Sequence, residues 1–197
     1  GTAVTAATAT FVVTGTNDVP VVTGSAQIQA TEDSGHAVID RATLLSTVQD
    51  PDAGDTLDIQ IDTAALPPGV VYNHVAGFTT VSTTTYYGFT QIITVPTVDT
   101  LTLDTSDPAY QALAQGETED VVVTYAVSDG SATATGQAIF HLAGANDAPL
   151  VAGPVTAAAT EGSGPVAVDA LAGATDIDHG AVLSVVAAPP PASGETE

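Results

Sequence analysis

The stretch "DVVVTYAVSDG", Asp120 to Gly130, decides the fold. In it Val121, Val123, Tyr125 and Val127 alternate with Val122, Thr124 and Ala126. A period of two sends successive side chains to opposite faces, so this segment is a strand with one apolar face to bury. The "SDG" that closes it has hairpin-turn composition. Working outward, the same reading predicts strands over roughly 20–29, 37–48, 56–62, 70–82, 84–95, 100–104 and 133–142. "SDPAYQALAQG", from Ser106, is compatible with one or two helical turns. "YNHVAGFTTVSTTTYYGFTQIITV", from Tyr72, reads as an inserted hairpin. Seven or more short strands joined by turns predict an all-β chain folded as an immunoglobulin-like sandwich.

Composition agrees and adds a constraint. Hydrophobic residues make up 44% of the 197, aromatic residues only 5%, and the rest of the strand-forming content is Val, Ile and Thr. No apolar run approaches the roughly 18 residues of a membrane span. The sequence contains no cysteine, which removes disulfides, thiolate metal sites and a Cys nucleophile. Against 23 acidic residues stands one cation, Arg41, for a formal net charge of −22. Internal salt bridges cannot neutralise such a chain. Its carboxylates either repel one another in solvent or take cations from outside. Nucleic acid and anionic membrane surfaces are poor partners for it.

The acids fall in clusters, and the clusters repeat. "GTNDVP" at Gly15 returns as "GANDAP" at Gly144, "ATEDSG" at Ala30 returns as "ATEGSG" at Ala159, and "QDPDAGDTL" at Gln49 aligns with "TDIDHGAVL" at Thr175. We therefore expect residues 1–18 to be the last strand of a preceding repeat, 19–147 one complete repeat, and 148–197 the first part of another. The incomplete repeats suggest head-to-tail association of neighbouring molecules through exposed strand edges.

Together "GTNDVP", "ATEDSG", "VQDPDAGDTL", "GETEDVVVTYAVSDG" and "GANDAP" resemble the VCBS-type, bacterial cadherin-like repeats of large RTX-type adhesins. The resemblance covers most of the full repeat and both partial ones. It implies a secreted, calcium-stabilised chain of cadherin-like sandwiches at the bacterial cell surface, an extender module supporting attachment or biofilm formation. The glycine-rich nonapeptide of RTX proteins is absent from this sequence.

Loop positions give a site independently of that resemblance. In immunoglobulin-like topology successive loops alternate between the two ends of the sandwich. One end would gather Asn17, Asp18, Asp50, Asp52, Asp55 and Asp129; the other Glu32, Asp33, Asp104 or Asp107, Asn146, Asp147, Asp176 and Asp178. Calcium takes 6–8 oxygen ligands, which carboxylates, Asn amides and backbone carbonyls supply. Magnesium prefers a stricter octahedron with its waters retained, and zinc prefers His or Cys. "DPDAGD" is not an EF-hand, because Gly54 stands fifth and Ile61 occupies the place of the closing Glu.

For catalysis the sequence offers little. His36, His74, His141 and His179 are scattered, and no G-x-S-x-G nucleophile elbow or phosphate-binding glycine loop occurs. A non-enzymatic module is expected, bound to its neighbouring repeats. The alternative is an adhesive module in which the Thr- and Tyr-rich "TTVSTTTYYGF" presents a carbohydrate- or surface-binding face.

Overall fold

The computed structural model of the chain describes residues 1–4, 6–84 and 89–186. Tyr86 and Tyr87 of the alternative binding stretch lie outside the described residues, as does the closing "GETE". In chain order the elements are β1 (Val21–Val22), β2 (Ala26–Thr31), β3 (His36–Asp40), α1 (Arg41–Leu45), β4 (Val48–Gln49) and β5 (Asp58–Gln60). A 3-10 turn (Thr63–Ala65) precedes β6 (Val70–Val75), β7 (Phe78–Thr84), β8 (Phe89–Val95) and β9 (Val98–Asp104). The long β10 (Thr118–Ser128) and β11 (Thr133–Ala143) follow, then the short β12 (Leu150–Val151) and β13 (Ala174–Thr175).

Two sheets carry the core: a four-stranded one in the order β2-β11-β10-β5 and a three-stranded one in the order β3-β9-β6. All pairings are antiparallel except β2 with β11, which is parallel. Alternation then assigns the faces. Val121, Val123, Tyr125, Val127, Ala138, Phe140 and Leu142 point inward from one sheet, and Ala37, Ile39, Leu101 and Leu103 from the other. Removing each large apolar side chain from water contributes about 1.5–3 kcal/mol. Tyr125 is 1% exposed, and its hydroxyl donates to the Leu44 carbonyl at 2.6 Å. The ring lies over Gly136, where a Cβ would come within 2.6 Å of it. The fold is a β-sandwich.

Several elements differ from the sequence reading. The strand expected over 37–48 stops at Asp40, because its carboxylate accepts from the Thr43 N–H at 2.8 Å and caps the short helix α1. Residues 106–116 form no helix; they form successive turns, with Tyr110 N–H donating to Asp107 and Leu113 N–H to Tyr110. The insertion divides: Tyr72–Val75 belongs to β6 in the main sheet, and only β7 and β8 form a separate hairpin. No described residue of 1–20 lies in a strand, and Phe11, Val12 and Val13 are fully solvent-facing. A strand forms only where another offers it a ladder.

Arg41 does not serve the surface. Its guanidinium pairs with Asp99, which is completely buried in β9, and donates to the Leu57 carbonyl. Tyr72 Oη donates to Asp99 Oδ1 at 2.6 Å, and His74 Nδ1 lies 2.6 Å from the same oxygen. Burial raises the Asp99 pKa, but these three donors outweigh it and hold the carboxyl below its ordinary value of 3.8.

Candidate metal centres at the two Asn-Asp seams

The β10–β11 hairpin and the loop after β4 end beside Asn17 and Asp18. Asp129 Oδ1 accepts from the Ser131 and Ala132 N–H groups, both at 2.6 Å, and Oδ2 accepts from Asn17 Nδ2 at 3.1 Å. These hydrogen bonds lower its pKa, the two backbone donors most. Asp52 Oδ2 accepts from the Asp18 N–H at 2.6 Å, and Asp50 Oδ1 from the Asp52 N–H at 2.9 Å. One carboxylate oxygen from each of Asp50, Asp55 and Asp129 lies within 4.8 Å of the others. Desolvation, then Asp50, Asp52 and Asp129, push the Asp55 pKa upward.

At the opposite end, Glu32 follows β2 and is only 3% exposed. Its Oε2 accepts from the Ala145 N–H at 3.1 Å. Burial is the main cause raising its pKa, opposed by that hydrogen bond and reinforced by Asp147, Asp33 and Asp178. Asp33 takes a left-handed φ of 57° and donates its N–H to the Thr105 carbonyl at 3.2 Å. Asp178 Oδ2 accepts from the Asp147 N–H at 3.0 Å, and Asp176 Oδ1 from the Asp178 N–H at 3.1 Å. Desolvation, then Asp33, Asp178 and Asp176, raise the Asp147 pKa.

The two seams share one frame. Asn17 Nδ2 donates to the Asp18 carbonyl at 2.9 Å, as Asn146 Nδ2 does to that of Asp147 at 2.5 Å. Asp18–Asp52 corresponds to Asp147–Asp178, and Asp52–Asp50 to Asp178–Asp176. Among the described residues, four buried side-chain atoms lack a hydrogen-bond partner: Glu32 Oε1, Asp50 Oδ2, Asp147 Oδ2 and Asp178 Oδ1. All four are carboxylate oxygens in the seams. A buried polar atom without a partner costs about 1–3 kcal/mol, and a hard cation with oxygen ligands removes that cost. The donor set therefore fits such an ion.

Asp104 and Asp107 each brace a local turn through one oxygen. Asp104 Oδ1 accepts from the Ser106 N–H at 3.0 Å, and Asp107 Oδ1 from the Ala109 N–H at 2.9 Å, so each carboxylate closes its own turn. Sequence reasoning missed a pair at the second seam: His179 Nδ1 lies 3.0 Å from Glu117 Oε2. The signal was the single His within "TDIDHGAVL", where the aligned loop has Ala53.

The described residues form a β-sandwich with acidic side chains gathered at its loop ends. A family model described as a cadherin-like domain matches residues 16–103, which takes in Asn17, Asp18, Glu32, Asp33, Asp50, Asp52 and Asp55. No curated protein sequence gives a significant match. Among solved structures the chain is similar to a chimeric titin Z1Z2 functionalized with a KLER exogenous peptide from decorin. Identity is 13%, over 66% of this chain and 99% of that one, with a TM-score of 0.29.

Proposed function

We propose that the chain is a non-enzymatic spacer from an extracellular adhesive protein of the RTX type, whose seams stiffen when calcium binds. The observation that carries this reading is the set of partnerless buried oxygens on Glu32, Asp50, Asp147 and Asp178. At the first seam Asp50, Asp55 and Asp129 would hold the ion, oriented by Asn17 and by the Asp18–Asp52 bond. At the second, Glu32 from the complete repeat and Asp147 and Asp178 from the linker and the next repeat would share one. Calcium supplies positive charge between carboxylates that otherwise repel. The chain supplies preset acceptors, so little ordering remains to be done at binding.

The recurrence of one hydrogen-bond frame at both seams supports the division into a repeat over 19–147 flanked by parts of two others. An extracellular location suits weak calcium sites of about 10⁻⁴–10⁻³ M. Cell attachment and biofilm support follow from the resemblance to adhesin extenders. Calcium addition should raise the melting temperature of the chain and lengthen the particle in small-angle scattering, and a chelator should reverse both. Melting curves and radii of gyration identical with and without calcium would refute the proposal.

A further inference from the structure

The two seams are framed alike but closed differently. Aligning "QDPDAGDTL" with "TDIDHGAVL" sets Ala53 opposite His179 and Asp55 opposite Ala181. At the first seam Asp55 adds a carboxylate beside Asp50 and Asp129. At the second, Ala181 offers none, and His179 reaches the end of the complete repeat instead. Its Nδ1–H donates to Glu117 Oε2 at 3.0 Å, and its backbone N–H donates to the Ala112 carbonyl at 2.9 Å.

The receiving loop is already fixed. Glu117 Oε2 also accepts from the Ala114 N–H at 3.0 Å, and the Glu117 N–H donates to the Ala114 carbonyl at 2.9 Å. Gly144 N–H donates to the Glu117 carbonyl at 2.9 Å. A Cβ on Gly144 would lie 2.4 Å from the carbonyl oxygens of both Leu113 and Ala114, so the loop is pressed against the strand that leads into Asn146 and Asp147. Ala53 has no side-chain donor with which to make the equivalent contact.

We propose that the Asn146–Asp147 seam carries a metal-independent clasp, His179 on Glu117 and Ala112, for which Ala53 at the Asn17–Asp18 seam has no matching side chain. The loop 112–117 is then a docking surface for a D-x-D-H-G loop of the repeat that follows. In a tandem array the residue at the His179 position sorts seams into chelator-resistant and chelator-sensitive ones. This inference rests on the seam reading above, but its test is separable from it.

The test is amide hydrogen exchange on the whole chain, in calcium and in chelator. In chelator the residue 179 amide should stay protected about tenfold or more above the aligned Ala53 amide, roughly the worth of one good hydrogen bond. H179A and E117A should abolish that protection in chelator, and E117Q, which keeps an acceptor oxygen, should retain it. An unchanged circular dichroism spectrum would show that the variants fold. If the residue 179 amide of the chelated parent exchanges as fast as that of Ala53, or if H179A and E117A leave it protected, the clasp is refuted. Failure of the calcium reading would show differently, as exchange at both seams unaffected by adding calcium.

Discussion

Glu32 shows at one residue how the seam can be a liability and an asset. Its carboxylate is held away from water with one oxygen partnered and the other not. A carboxyl whose pKa is raised in the folded state, as burial raises this one, destabilises that state whenever it is ionised. Gln keeps the acceptor for the Ala145 N–H and removes the charge. E32Q should therefore raise stability in chelator by about 1 kcal/mol, and weaken calcium binding by at least about tenfold through loss of a ligand. Urea melts with and without calcium check the inversion of sign. A variant less stable than the parent in both conditions would overturn it.

At the scale of elements, β9 places a buried charge in the middle of a sheet. Asp99 is tolerated because β6 brings Tyr72 and His74 to it and α1 brings Arg41. Its pKa is lowered, so the stability it lends is fully present above the unfolded value of 3.8 and is lost as pH falls through the folded pKa. R41M leaves the buried charge short of its cation and should cost about 3–5 kcal/mol at neutral pH. Because the Arg41 side chain is 21% exposed, the lower end is expected. The loss should shrink as pH drops below 3.8, which acid titrations of the two proteins would reveal. Nothing in the sequence announced this cluster: Arg41, the Tyr72–His74 pair and Asp99 are far apart along the chain, and only the pairing of β3 and β6 with β9 unites them. The strands were legible because alternation is local, as at Val121–Val127. The helix α1 was not, since its cap at Asp40 interrupts an apolar run that reads equally well as strand.

For the whole molecule the acidic excess has a location. Asp50, Asp55 and Asp129 meet although hinted only by separate loop motifs, because strands of even crossing return each loop to a definite end. Asp104 and Asp107 share that end and composition, and each braces its own turn through one oxygen; composition names candidates but not their hydrogen bonds. D55A should lower the number of calcium ions bound per chain by one, measured by calorimetric titration, while the count at the second seam is unchanged. An undiminished count would remove Asp55 from the ligand set. The one parallel pairing in the sandwich has a mechanical consequence. Residues 26–31 of β2 lie beside 138–143 of β11 and run the same way. Tension applied at Pro20 and Asp147 draws those strands past each other lengthwise, so the whole ladder must yield in a single step under load rather than unzip bond by bond.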